Sequence, residues 1–225
     1  MTKHVVISSG GLDSTVTLAH ALSAGASPSR VLALTFNYGQ RHVREVAAAR
    51  EIARHYGVEQ KVLNLVGLMS SGSLLADSPE EVPEGHYAAD NMASTVVHGR
   101  NLLFASVAIS LAGPGGTVWT GVHAGDHTVY PDCRPEFWQA LETLAQDAYD
   151  VGVVAPYLFS RKEDIAAEGS RLGAPLSLTW SCYKGGEVHC GRCGTCVERR
   201  EAFDLAGVTD PTTYEGPAPR KETAL

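Results

Sequence analysis

What is scarce in this chain narrows its class first. Of 225 residues, five are cysteine, and only 7% are aromatic. No run of 18 apolar residues occurs, so no segment reads as a membrane-spanning helix. The N-terminus lacks the charged-then-apolar pattern of a secretory signal, and a cytoplasmic location is expected. Positive charge is short as well: 18 Lys and Arg stand against 25 Asp and Glu, a net charge of −7. That disfavours a broad nucleic-acid surface, which needs clustered cations to release phosphate counterions. There is no internal repeat and no low-complexity tract. What remains, 44% hydrophobic and 19% charged, is ordinary for a soluble globular enzyme.

The most informative stretch is Ser8-Ser9-Gly10-Gly11-Leu12-Asp13-Ser14. It follows an apolar run, His4 to Ile7, that reads as a buried strand, and it opens a helix expected over Ser14 to Leu22. Two adjacent glycines let backbone approach a bound group, and the helix N-terminus offers unpaired N–H groups and a positive dipole end. The site wants an anion, most naturally a phosphate. Asp13 would repel one unless it caps the helix or holds a Mg²⁺ that bridges to the phosphates. No Gly-Lys-Ser/Thr follows, so this is not a Walker A loop, and the three-glycine dinucleotide spacing is missing.

Further strands are expected over Arg30–Phe36, Lys61–Leu65, Thr117–Val122 and Val153–Leu158. Helices are expected over His42–Tyr56, 101–112, Pro135–Tyr149 and Lys162–Leu172. The first of these should turn Val43, Val46, Ala47, Ala53 and Tyr56 inward, the second should be buried on most sides, and Ser160 with Glu163 should cap the last. The alternation predicts an α/β fold with a doubly wound parallel sheet. Residues 66–99 break the rhythm as a long loop, read as a lid or a partner surface. The chain divides into an α/β domain over 1–178, a cysteine-bearing segment over 179–207 packed on the same domain, and a loose tail over 208–225.

Cys182, Cys190, Cys193 and Cys196 give the spacing C-x7-C-x2-C-x2-C, while Cys133 stands alone. In a cytosolic chain such clustering reads as a metal site, and four thiolates fill a tetrahedral Zn²⁺ shell, making the zinc structural. An Fe–S cluster or free thiols are the alternatives.

The loop Ser9-Gly10-Gly11-Leu12-Asp13-Ser14 resembles the SGGxDS loop of the PP-loop ATP pyrophosphatases, whose fold is adenine nucleotide alpha hydrolase-like. Between it and the cysteines lie Thr35 to His42, Gly99-Arg100-Asn101, Asp126, Tyr130-Pro131-Asp132-Cys133-Arg134 and Cys182 to Gly185. With these motifs, in this order, residues 4–204 resemble the QueC family. The resemblance implies an ATP-dependent ligase acting on 7-carboxy-7-deazaguanine and ammonia. Adenylated acid, amide and adenylated amide lead to 7-cyano-7-deazaguanine, in queuosine-type biosynthesis. It implies that Ser8, Ser9, Gly10, Gly11, Leu12, Asp13 and Ser14 hold ATP with its Mg²⁺, and that Phe36 and Tyr38 meet adenine. Asp13, Ser14, Lys162 and Arg134 are the expected catalytic groups, and Arg100, Asn101, Asp126 and Asp132 are expected to line the deazaguanine and acyl end. Free ammonium is the expected nitrogen source, and apolar residues on the long loop make a homodimer plausible.

His98 stands where the family usually has Pro, Thr128-Val129 where it has Ser-Gly, and His123 and Gly125 where it has Cys and Thr. If these line the substrate pocket, the enzyme could stop at the amide or pass the acyl group to another amine. His42, His98, His123 and His127 lack ligand spacing and read as structural. Two other classes compete: a PP-loop enzyme acting on tRNA, disfavoured by charge, and a non-catalytic zinc-knot module, which leaves the glycine loop unexplained.

Overall fold

The computed structural model describes residues 3–39, 43–68, 82, 84, 85, 92 and 95–217. Gln40, Arg41, His42 and most of the 66–99 loop lie outside the described residues; of the loop's described apolar residues, Val66 and Leu68 are exposed, and Val82, Met92 and Val97 are buried. Strands β1 (His4–Ile7), β2 (Val31–Asn37), β3 (Glu59–Asn64), β4 (Thr117–Trp119) and β5 (Gly152–Val154) form one parallel sheet in the order β3-β2-β1-β4-β5. The helices are α1 (Leu12–Ser23), α2 (Val43–Tyr56), α3 (Arg100–Ala112), α4 (Pro135–Tyr149), α5 (Lys162–Arg171) and α6 (Gly194–Ala206).

The strand period of two decides which helices cover which face. Val5, Leu32, Leu34, Phe36 and Val118 point into a cluster with Phe104, Ala108, Trp138 and Leu141 of α3 and α4. The alternate residues Val6, Val31, Ala33 and Trp119 meet Leu18, Ala21, Ile52 and Ala53 of α1 and α2. A third cluster joins Leu12 and Val16 of α1 to Ile165, Ala166, Ala202 and Phe203 of α5 and α6. The sheet is thus covered on both faces, and the chain reverses direction of winding between β1 and β4. Sheets of this kind bind ligands at the carboxyl ends of the strands beside that reversal. Among the described residues, no helix is long and apolar enough to cross a membrane.

Several local expectations change. The inward face of α2 is Ala49, Ile52 and Ala53, whereas Ala47 is exposed. Helix α3 is exposed only along the stripe Leu102, Ser106 and Ser110 and is buried or half-buried on its other sides, as expected. The N-cap of α5 is Arg161, whose N–H donates to Asp164 Oδ2 at 2.8 Å, in place of Ser160 and Glu163. β4 and β5 each end after three residues, and their continuations are loops. Helix α6 answers no expected element; Val197, Ala202 and Phe203 are its buried apolar side, and Gly207, at φ +64°, stops it.

The segment after 207 is not loose through residue 217. Arg199 is fully buried on α6, and its guanidinium reaches Asp210 Oδ1 at 3.1 Å, Thr179 Oγ1 at 2.7 Å and the Leu176 carbonyl at 3.2 Å. Tyr214 donates to Asp210 Oδ2 at 2.6 Å, and the Arg200 guanidinium lies 3.8 Å from the Tyr214 ring centroid.

Gly10 has a different task from the one read in the sequence. Its φ is +86°, and a Cβ there would fall 2.3 Å from the Glu45 carbonyl oxygen and 2.7 Å from the Ala49 nitrogen. The glycine is required because α2 lies directly on the loop. Gly10→Ala therefore combines a left-handed φ with a clash against backbone, and is expected to cost on the order of 2–4 kcal/mol, read as a lowered urea midpoint. An unchanged midpoint would contradict this packing.

Candidate active site

The loop after β1 is held open by its own hydroxyls. Ser9 N donates to Ser14 Oγ and Gly11 N donates to Ser9 Oγ, both at 3.2 Å, while Thr15 Oγ1 donates to the Gly11 carbonyl at 2.7 Å. Trp180, just ahead of the cysteines, donates its N–H to the Gly10 carbonyl at 2.9 Å. The loop is thus clamped from α2 on one side and from the C-terminal segment on the other.

Two adjoining cavities open there. The first, of about 210 Å³, is bounded by Ile7, Ser8, Ser14, Phe36, Tyr38, Asn101, Phe104, Val122 and Cys133. The second, of about 130 Å³, is bounded by Gly11, Leu12, Tyr130, Lys162, Trp180, Ser181, Thr195 and Glu198. Ser9, Asp13, Glu45, Arg100, Asp126 and Tyr183 line both and form the neck between them.

Lys162, at the first turn of α5, puts its Nζ 2.7 Å from Asp13 Oδ2, 3.2 Å from His123 Nε2 and 3.4 Å from Glu198 Oε2. Burial alone would lower the lysine, but Asp13, Glu198 and Asp126 outweigh it and raise it above its ordinary value. Burial likewise pushes Asp13 upward, yet Lys162 and His123 hold it below the usual carboxylate range. Glu198 is raised, because burial outweighs its distance-weakened attraction to Lys162. His123, 1% exposed, accepts from the Gly125 N–H at Nδ1 (3.1 Å), and its Nε2 lies between Lys162 Nζ and Asp126 Oδ2, the latter at 3.6 Å. His123 therefore lies against the site, contrary to its reading as an ordinary loop residue.

Two buried polar atoms lack partners where a ligand would sit. Ser8 Oγ and Asp13 Oδ1 accept or donate no hydrogen bond, although buried groups of this kind are normally satisfied. Both residues line the first cavity. A hydroxyl beside a phosphate loop and a spare carboxylate oxygen suit a phosphate and its cation.

Of the other expected residues, Phe36 lines the first cavity but stacks on Phe104 at 3.9 Å and 5°, so one ring face is covered. Asn101 spends its Nδ2 on the Asp132 carbonyl (3.1 Å) and the Cys133 sulfur (3.3 Å). Asp132 and Arg134 are not brought to either cavity. Asp132 accepts from the Asn101 N–H at the start of α3 (3.0 Å), and Arg134 is exposed, with Nε donating to the His127 carbonyl. Gly10, too, lines neither. Glu45, Glu198 and Trp180 belong to the site without having been singled out, and Tyr183 does so from within the Cys182-to-Gly185 motif; Glu45 lies three residues past the Thr35-to-His42 motif, which was its only signal. His98, Gly125, Thr128 and Val129 line neither cavity, so of the departures from the family pattern only His123 touches the site.

The four clustered cysteines are fully or nearly buried, and their sulfurs lie within 4.8 Å of one another. Cys190 and Cys196 Sγ are 3.9 Å apart, close to the roughly 3.8 Å edge of a tetrahedron with 2.3 Å metal–sulfur bonds. The N–H groups of Cys193 and Arg192 donate to Cys190 Sγ at 3.3 and 3.5 Å, as suits thiolates. The donor set fits a metal ion. Glu84, from the long loop, pairs with Lys184 and with Arg192 Nε (2.7 Å), and Val82 packs on the cysteines.

The sequence profile of "Queuosine biosynthesis protein QueC" matches residues 3–207. The chain belongs to the QueC family. It is 49% identical over 223 residues to a 7-cyano-7-deazaguanine synthase of Rhizobium meliloti strain 1021, covering 96% of this chain and 93% of that relative. It is 48% identical over 221 residues to the synthase of Paracoccus denitrificans strain Pd 1222, covering 95% and 93%. QueC relatives thus span nearly the whole chain, including the phosphate loop and the cysteines.

The charged core behind the cysteines gives a stability test. Burial alone would raise Asp210, but Arg199 and hydrogen bonds from Tyr214 and Thr212 hold it below its ordinary value. Its stabilisation is therefore complete above about pH 4, the unfolded value, and is lost as pH falls through the lower folded value. Asp210→Asn strands the buried Arg199 charge and is expected to cost about 3 kcal/mol at pH 7. The variant should also lose part of the wild-type acid sensitivity below pH 4. Equal urea midpoints at pH 7 would contradict the pairing.

Proposed function

We propose that this chain makes 7-cyano-7-deazaguanine, the product in its relatives' name, from 7-carboxy-7-deazaguanine, ammonia and two ATP. The observation that carries this reading is the phosphate loop with Lys162 at 2.7 Å from Asp13, beside two connected cavities in which Ser8 Oγ and Asp13 Oδ1 await partners.

A carboxylate is a poor electrophile until one oxygen becomes part of a leaving group. Its oxygen attacks the α-phosphorus of ATP, and the bond to pyrophosphate breaks. Ser8, Ser9 and Ser14 and the first-turn N–H groups of α1 surround the phosphates, and Lys162 meets the charge that builds on the departing pyrophosphate. Ammonia then attacks the acyl carbon, the carbon–oxygen bond breaks, and AMP leaves with that oxygen. The amide oxygen is adenylated by the second ATP. Loss of AMP and of both amide protons leaves the nitrile.

Asp13, Asp126 and Glu198 outnumber Lys162 at the neck and in the second cavity, so the residues suit Mg²⁺, which would neutralise phosphate charge when bound with ATP. Tyr38 and Phe36, with Ile7 and Val122, make the apolar end suited to adenine. Arg100 fits the substrate carboxylate, and Asp126 fits the N1–H and exocyclic amine of a guanine-type ring, since a carboxylate accepts both. We assign a structural Zn²⁺ to Cys182, Cys190, Cys193 and Cys196; the shell has no open position, so its work is to hold Trp180 and α6 against the loop. The departures at 98, 125, 128 and 129 line neither cavity, so support for the amide-releasing alternative narrows to His123, which touches Lys162.

Lys162→Met is expected to lower acid-dependent pyrophosphate release by about 10²–10³-fold, the scale for losing one electrostatic stabiliser, with circular dichroism unchanged. Undiminished release would overturn the role given to Lys162.

A further inference from the structure

Glu45 has no task in the chemistry above, yet it lines both cavities at their neck. It stands in the first turn of α2, whose backbone bears directly on Gly10, so its place relative to the phosphate loop is fixed. Among the described residues, no hydrogen bond or salt bridge to its carboxylate is formed, and the cation that acts on it is Arg100, at the same neck. Asp13, also at the neck, is already held by Lys162. Arg100 and Asp126, assigned above to the substrate, and Asp13 of the phosphate loop line the same neck, so the acyl carbon of an acyl adenylate must lie near it, and the nitrogen nucleophile must arrive there.

We propose that Glu45 is the ammonium site: its carboxylate binds NH₄⁺ at the neck and takes one proton, releasing ammonia beside the acyl carbon. The inference rests on the reaction proposed above. The step balances: one N–H bond of ammonium breaks and an O–H bond forms on Glu45. The freed nitrogen lone pair attacks the acyl carbon. The carbon–oxygen bond to AMP breaks with its electrons on AMP, and the added nitrogen sheds a proton to solvent, as does Glu45 before the next turnover. Tyr183 lines both cavities beside Glu45, and Tyr38 lines the first, so aromatic side chains border the place where a small cation would sit. Burial, only partly offset by Arg100, pushes Glu45 up to about 7, which makes it a better proton acceptor than a surface glutamate.

The test is Glu45→Gln with three readouts on the full chain. Acid-dependent exchange of labelled pyrophosphate into ATP needs no ammonia and should fall far less than ammonium-dependent amide formation. The KM for ammonium should rise at least tenfold. Hydroxylamine, unprotonated at neutral pH, needs no base and should form hydroxamate at close to the unaltered rate. An unchanged ammonium KM would overturn the proposal. So would hydroxamate formation falling as far as amide formation, or exchange being lost along with ammonium use. Absence of exchange in the unaltered protein would overturn the adenylation reading itself, and this inference with it.

Discussion

Lys162 and Asp13, 149 residues apart in sequence, meet at 2.7 Å, and the site is built around that contact. One partner belongs to the loop after β1, the other to the first turn of α5. Removing water from two charges is costly, and a buried pair persists only where further groups satisfy it. Here His123 and Glu198 close the remaining sides of the lysine. The contact requires the loop to hold its shape, which depends on Gly10 under α2, on the Ser9 and Ser14 hydroxyls, and on the Trp180 N–H at the Gly10 carbonyl. It also leaves Asp13 with one bound and one unpartnered oxygen, an ion pair that can accept a phosphate-bound cation without being dismantled.

The cysteine segment serves this arrangement from behind. Cys196 and Glu198 share α6, so the helix that supplies a metal ligand also supplies a carboxylate to Lys162. Arg199, the next residue, turns the other way and ties 176–181 and 210–214 together beneath it. The long loop is drawn into the same assembly where Glu84 reaches Lys184 and Arg192. A small α/β sheet with short β4 and β5 offers little surface to fix these loops, and a closed four-sulfur site supplies what packing does not.

Much of this was legible in the sequence because the signals were local. A strand, a glycine loop and a helix in direct succession were readable, and the structure has them in that order. Four cysteines within fifteen residues identify a metal site, and alternating apolar runs give a parallel sheet. Elements that depended on tertiary contacts were harder to read. Asp132 and Arg134 carry polar groups in a suggestive motif, but one is spent on the start of α3 and the other faces solvent. Gly10 looked like clearance for a ligand and is clearance for a helix. Helix α6 was hidden behind the metal spacing it contains, and Glu45 and Glu198 enter the site only through how α2 and α6 pack. The departures from the family pattern looked like a remodelled pocket, yet none lines either cavity, and only His123 touches a lining residue, Lys162.

The central claim is that one chain uses the same carboxyl group twice, each time expelling one of its oxygens on AMP. The most direct measurement supplies 7-carboxy-7-deazaguanine with both carboxylate oxygens labelled as ¹⁸O, together with ATP, Mg²⁺ and ammonium, and weighs the products. The account predicts unlabelled nitrile accompanied by two AMP, each carrying one labelled oxygen. A labelled amide with a single labelled AMP would contradict the second activation, and AMP without label would contradict adenylation of the acid altogether.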